Sequence, residues 1–149
     1  MVEDIHGFFH EFTFALDLAA AAPQGMVAVP ATRFEDYIWS LGPLGPYELP
    51  AFQMDKFEVT NQQYQEFIGQ GGYQKREYWK EKFIREGHEL SWEQAMGLLR
   101  DSTGRPGPST WQAGHYPAGQ EDYPVNGVSW YEAAAYAEFA GKSLPTIGQ

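Results

Sequence analysis

The sequence contains no cysteine. A disulfide framework, a thiolate-bound zinc or iron–sulfur centre and a cysteine nucleophile are therefore excluded from these residues. No apolar run approaches the ~18 residues that a membrane-crossing helix requires. The opening stretch Met1-Val2-Glu3-Asp4-Ile5-His6 is acidic, so the positive start of a signal peptide is missing. Basic residues are scarce. Ten Lys and Arg stand against twenty Asp and Glu, and the net charge of −10 sets nucleic acid and anionic lipid aside as broad electrostatic partners. Half of those bases, Lys75, Arg76, Lys80, Lys82 and Arg85, fall in one stretch with Tyr78, Trp79 and Phe83 between them. Such interleaving superficially suits stacking on a single strand. Glu77, Glu81 and Glu86 largely cancel its charge, so a solvated, ion-paired segment with aromatic anchors is expected.

What is present points to a folded chain. Hydrophobic residues make up 43% and aromatics 16% of the 149 residues, enough bulky apolar surface to offset ordering entropy. The length fits one domain or part of one. Sixteen glycines and ten prolines predict many loops.

Residues 8–18 alternate in part, with Phe12, Phe14, Leu16 and Leu18 on one face, and predict a strand. Residues 19–24 read as a linker. Met26–Pro30 reads as a short buried strand ended by proline. Gly42, Pro43, Gly45, Pro46 and Pro50 predict a loop over 40–50, and alternation over 52–59 predicts another strand.

Three capping boxes follow, each a Ser or Thr with Gln or Glu three residues on: Thr60/Gln63, Ser91/Gln94 and Ser129/Glu132. The first predicts a helix to about Ile68, stopped by Gly69, with Tyr64, Phe67 and Ile68 inward. The second predicts a short helix carrying Trp92, Ala95, Met96 and Leu99. The third predicts a helix over 130–140 closed by Gly141. Residues 102–127, rich in Gly and Pro, predict a long structured loop held by Trp111, Tyr116 and Tyr123. Thr146 with Gln149 repeats the cap pattern, so the chain is expected to be cut inside a fourth helix and to expose apolar surface where missing residues would pack.

No residue qualifies as catalytic, cofactor-binding or metal-ligating. His6 and His10 are spaced as two ligands on a helix face. Gly7 and the alternation that follows argue against that helix, and no Glu lies between them as in a zincin. His88 and His115 fall in loops, the latter beside Tyr116, where a loop hydrogen bond is the simpler role. Glu35-Asp36 and Glu121-Asp122 are adjacent acids without the further oxygens that calcium needs. Gly69, Gly71 and Gly72 follow a helix, whereas a phosphate loop precedes one. Gly104-Arg105-Pro106-Gly107-Pro108 reads as a rigid turn.

Four blocks carry a resemblance. Gly25–Pro30, Met54–Phe67, Tyr123–Ala137 and Gly141–Thr146 stand in the order in which similar blocks occur in the formylglycine-generating enzyme, or sulfatase-modifying-factor, family. The resemblance covers residues 23–149 and implies an α+β domain of divergent C-type-lectin-like fold, front part only and rich in loops. Residues 1–22 would be the end of a preceding β-rich segment and its linker. The middle, from Gly72 through Ser91–Ala95 to Thr103–Pro108, looks like a bacterial branch in which the module follows a Ser/Thr protein kinase. Trp130 and Tyr136 are expected to supply large buried area.

Family enzymes oxidise a sulfatase cysteine to formylglycine with oxygen and copper held by two cysteines in the back half of the domain. No such position can be placed here, so neither site residues nor a cofactor is expected in this chain, although copper and calcium suit a complete family enzyme. Ser143 stands where Arg is common, and Ile147-Gly148 where Glu-Ala is common. The resemblance thus implies a recognition or accessory module, with the rest of its own domain and a peptide or small ligand as partners. The front half of a copper oxidase is the alternative. A relative of the iron-dependent sulfoxide synthases of ergothioneine synthesis ranks third. Neither nucleic-acid binding nor membrane insertion is expected, and compartment is not indicated.

Overall fold

A computed structural model describes residues 22–38 and 42–146. The strand expected over 8–18, His6 and His10 lie outside the described residues, as does Gln149 of the last cap. The chain divides into two compact units, Met1–Lys56 and Phe57–Gln149.

The described residues of the first unit form two antiparallel ribbons. Strand β1 (Met26–Val29) pairs with β4 (Phe52–Asp55), Met26 opposite Asp55 and Val29 opposite Phe52. The β1 strand is less buried than expected. Met26 and Val29, at the two ends of the strand, are half-buried, while Val27 and Ala28 between them are exposed. The β4 strand is also shorter than the alternation over 52–59 predicted.

The loop expected over 40–50 is corrected. Strand β2 (Thr32–Ile38) pairs with β3 (Gly42–Leu49), so the Gly/Pro-rich stretch is itself a strand. The register passes from Phe34 opposite Tyr47 to Asp36 opposite Leu44, which leaves Gly45-Pro46 facing Glu35 alone. That two-against-one step is a β-bulge, one of the few places where a strand accommodates proline without losing a ladder bond.

The second unit rests on three short helices, α1 (Asn61–Gly69), α2 (Trp92–Leu98) and α3 (Trp130–Phe139). All three expected capping boxes are formed. In α1 the Gln63 N–H donates to Thr60 Oγ1 at 3.3 Å, and the Thr60 N–H donates to Gln63 Oε1 at 2.9 Å. Helix α1 runs through Gly69, and Gly71 stops it instead, its N–H donating to Ile68 O while the Gly72 N–H reaches Phe67 O. Helix α3 closes likewise, with the Gly141 and Lys142 N–H groups on Glu138 O and Ala137 O.

The core of this unit is aromatic. Tyr64, Phe67, Tyr73, Trp79, Phe83 and Trp111 are buried, with Tyr136 and Phe139 packed on them. Tyr64 stacks on Tyr136 with ring centroids 5.5 Å apart, and Phe67 meets Tyr136 edge-on at 5.8 Å. Gly72 allows the chain to turn tightly over this core. A Cβ there would lie 2.3 Å from the Phe67 ring.

The segment between α2 and α3 lacks helices but is pinned at many points. The Asn61 and Gln62 N–H groups donate to Tyr123 O and Glu121 O, the Val125 N–H to Val59 O, and the Ser109 N–H to Gly127 O. Trp111 is its buried anchor at 1% exposure, and Tyr116 packs beside it. Tyr123 is no anchor. Its side chain is 59% exposed, because its backbone carbonyl rather than its ring ties the segment to α1. The basic stretch is anchored by Trp79 and Phe83. Lys82 pairs with Glu89 at 3.0 Å, and the Arg76 guanidinium lies over the Trp92 ring. It turns back as a short hairpin of β5 (Ile84–Arg85) and β6 (His88–Glu89).

Candidate functional site

Two features of the second unit gather polar or aromatic groups. The first is a buried polar chain. The Tyr64 and Tyr73 hydroxyl oxygens are 3.2 Å apart, and the Tyr73 hydroxyl donates to Glu132 Oε1 at 2.5 Å. Glu132 Oε2 accepts the Ser129 N–H at 2.7 Å, and Ser129 Oγ accepts the Glu132 N–H. Glu132 therefore does two things with one carboxyl group. It completes the cap of α3 and fastens that helix to the Tyr73 segment, 59 residues away. Burial pushes the Tyr64 phenol far above its ordinary range, with Glu132 adding to the effect. Burial does the same to Tyr73, reinforced by Tyr64 and then by Glu132. Both phenols are held protonated. They are hydrogen-bonding struts, without the accessible ionisation that general acid–base chemistry needs.

The second buried carboxyl group, Asp101, organises the turn that the sequence marks as rigid. Its Oδ1 accepts the Thr103 N–H, the Thr103 hydroxyl and the Arg105 N–H, and its Oδ2 accepts the Gly114 N–H at 2.7 Å. Burial works to raise its pKa, but these donors outweigh it and hold the carboxyl at about 2, below the ordinary 3.8. A depressed folded-state pKa contributes stability that is fully present above the unfolded value near 4 and is lost as pH falls toward 2. Asp101→Asn places an amide N–H₂ against backbone donors and is expected to lower the urea midpoint at neutral pH. Urea melts at stepped pH check this: the gap between wild type and variant narrows from pH 4 to pH 2. A gap independent of pH would contradict the role.

A groove of about 320 Å³ lies between α3 and the 78–83 segment. Tyr78, Trp79, Phe83 and Tyr131 supply aromatic wall, Ala134 lies on α3, and Trp130 stands at the rim. Trp130 is 57% exposed, contrary to the expected burial. As the first residue of α3 it projects away from the core and meets Tyr131 edge-on at 5.4 Å. Tyr131 receives the Ile84 N–H at 2.8 Å, which holds the β5–β6 hairpin against α3. Lys80, Glu81, Glu138 and Lys142 bring both signs of charge to the lining.

The histidines and paired acids do not converge on either feature. His115 Nδ1 is 2.7 Å from Gln65 Nε2, and His88 Nδ1 is 2.9 Å from Glu86 O, both exposed loop hydrogen bonds. Glu121 and Asp122 are exposed, and nothing of the Glu35 and Asp36 side chains is described. Among the described residues no three His, Asp or Glu come together as a metal site, and no helix is long and apolar enough to cross a membrane. Copper, which the family resemblance brought into view, finds no sulfur ligand here except methionine thioether, because the chain lacks cysteine.

Residues 15–149 match the sulfatase-modifying factor enzyme 1-like domain. The chain is 30% identical over 160 residues to a formylglycine-generating enzyme of Thermomonospora curvata, an alignment that covers 90% of this chain and 51% of that enzyme. It is 37% identical over 102 residues to a hercynine oxygenase of Mycobacterium tuberculosis, covering 66% of this chain and 22% of that protein. It is 32% identical over 108 residues to the formylglycine-generating enzyme of Bos taurus, covering 66% and 29%. The chain thus spans about half the length of the first of these relatives and less than a third of the other two. On the extent of the match over residues 15–149, the chain belongs to the sulfatase-modifying factor enzyme 1-like domain family.

Proposed function

We propose that residues 23–149 are the N-terminal, scaffold-bearing part of a divergent C-type-lectin-like domain of this family, and that residues 1–22 end a preceding β-rich segment. The domain serves as a recognition or accessory module of a bacterial protein linked to a Ser/Thr kinase, binding a peptide or small ligand. The observation that carries this reading is how the buried polar groups are used. Asp101 and Glu132 are engaged by backbone N–H groups and by hydroxyls of Thr103 and Tyr73. No buried side-chain N or O atom among the described residues lacks a partner. A reactive centre keeps groups free to meet substrate, and these are spent on structure.

A second reading makes the chain the front half of an oxidative enzyme, with its reactive groups elsewhere in the domain. The names of the relatives favour it: formylglycine-generating enzyme in two and hercynine oxygenase in the third. The two readings part on turnover. Supplied with copper(I), oxygen and a sulfatase-type cysteine peptide, the complete gene product forms no aldehyde under the first reading and accumulates it under the second. Hercynine in place of the peptide tests the oxygenase form of the second. A kinase domain in the same reading frame supports the linkage; a frame without one removes it.

A further inference from the structure

Asparagine occurs at two positions, and the fold treats them oppositely. The residue type is thermolabile because the main-chain nitrogen that follows it can attack its side-chain carbonyl carbon. At Asn61 that route is closed. The residue is 4% exposed, its Nδ2 donates to Gln120 O at 2.8 Å, and its Oδ1 accepts the Trp111 indole N–H at 3.2 Å. The nitrogen that follows is also engaged, the Gln62 N–H donating to Glu121 O at 3.0 Å. Asn126 differs at each of these points. It is exposed, and neither its side chain nor the N–H of Gly127 has a hydrogen-bond partner among the described residues. The carbonyls on either side are held instead. The Thr110 hydroxyl donates to Asn126 O at 2.9 Å, and the Ser109 N–H and hydroxyl donate to Gly127 O at 2.8 and 3.0 Å. The fold requires glycine at 127, where φ is +75° and a Cβ would lie 2.8 Å from Ser109 Oγ and Thr110 N. The same missing side chain leaves the Gly127 nitrogen unshielded.

We infer that Asn126-Gly127 is a self-modification site, converting to aspartate and isoaspartate through a succinimide, with the Thr110 hydroxyl promoting the first step. The Gly127 N–H gives its proton to solvent hydroxide. The negative charge so formed spreads onto Asn126 O, where the Thr110 hydroxyl stabilises it. The nitrogen then attacks Asn126 Cγ. A bond from Gly127 N to Cγ forms, the bond from Cγ to Nδ2 breaks, and Nδ2 takes a proton from water and leaves as ammonia. Water opens the ring. Opening at Cγ gives aspartate, and opening at the main-chain carbonyl carbon gives isoaspartate, whose backbone is longer by a methylene. That methylene enters between the Ser109 and Thr110 contacts and Ser129, the N-cap of α3.

Peptide mapping by mass spectrometry of the complete gene product, aged in mildly alkaline buffer, tests this. Asn126 is expected to convert to the aspartate and isoaspartate pair while Asn61 stays intact, and Asn126→Gln is expected to abolish ammonia release from this peptide. Thr110→Val is expected to slow the conversion roughly tenfold in the folded protein, the rate equivalent of one hydrogen bond to a charged group. It is expected to leave the rate in concentrated urea unchanged. The urea arm separates the chemistry of the hydroxyl from its structural role, since a turn that is merely loosened moves the folded rate toward the rate in urea. Asn126 intact after ageing, or Asn61 converting as fast, overturns the site. A folded rate for Thr110→Val equal to or faster than that of wild type overturns the part given to Thr110.

Discussion

Trp111→Ala is expected to destabilise the second unit by about 3–5 kcal/mol, the range for deleting a fully buried large aromatic. The side chain is 1% exposed and meets Tyr116 and Tyr64 edge-on at centroid distances of 5.3 and 6.2 Å. Its indole N–H donates to Asn61 Oδ1 at 3.2 Å, and Asn61 Nδ2 donates onward to Gln120 O at 2.8 Å. Removing the indole thus opens a cavity and deprives a buried amide oxygen of its donor. Trp111→Phe separates the two effects. It restores most of the volume while leaving Asn61 short of a donor, a loss of about 1–3 kcal/mol. Urea denaturation followed by far-ultraviolet circular dichroism reads both. A Trp111→Ala variant as stable as wild type would show that the 102–127 segment is not anchored through this residue.

The second large effect is expected at Glu132. Truncation to alanine leaves the buried Tyr73 hydroxyl without its acceptor and removes the carboxyl oxygen that receives the Ser129 N–H. Hydrogen bonds to a carboxylate contribute about 1.5–3 kcal/mol each, and a buried donor left unsatisfied costs about 1–3 kcal/mol. A combined loss of about 3–4 kcal/mol is expected for Glu132→Ala, since the two interactions share one side chain and do not add fully. Glu132→Gln should recover much of it. Its amide oxygen can accept the Ser129 N–H while its N–H₂ donates to Tyr73, whose hydroxyl then turns to Tyr64. Tyr73→Phe in the Glu132→Ala background should cost little more than Glu132→Ala alone. Full additivity of the two losses would show that Tyr73 and Glu132 do not act through each other.

These two residues show what could and could not be read from the sequence. A capping box is a local signal, two residues three apart, and all three boxes are formed where they were expected. The stop at Gly141 is equally local. Glu132 was legible as a cap, but its bond to Tyr73 spans 59 residues, and no local pattern announces it. Asp101 left a fainter trace. Asp101-Ser102-Thr103-Gly104 has the form of an Asx turn, in which a side-chain oxygen accepts from the backbone two residues on. The β2–β3 ribbon was hidden because Gly45 and Pro46 look like loop punctuation, and only the register shows that they occupy a bulge. Trp130 misled because size argues for burial. Its place at the first turn of α3 instead turns it toward the groove.

The family is carried by backbone-shaping blocks, so the relationship and the mixed helix-and-strand character could be read from residues that build structure. Chemistry could not, because the polar residues buried here hold turns and helices together. The most direct measurement of that claim is aldehyde formation on a sulfatase-type cysteine peptide under oxygen with copper(I). It is run on the complete gene product beside the 149-residue chain, with bound copper quantified in each. The account predicts neither aldehyde nor stoichiometric copper in either sample. Aldehyde that accumulates in proportion to bound copper would contradict the recognition role, and tight one-to-one copper binding by the 149-residue chain would contradict the expectation that its residues hold no copper site.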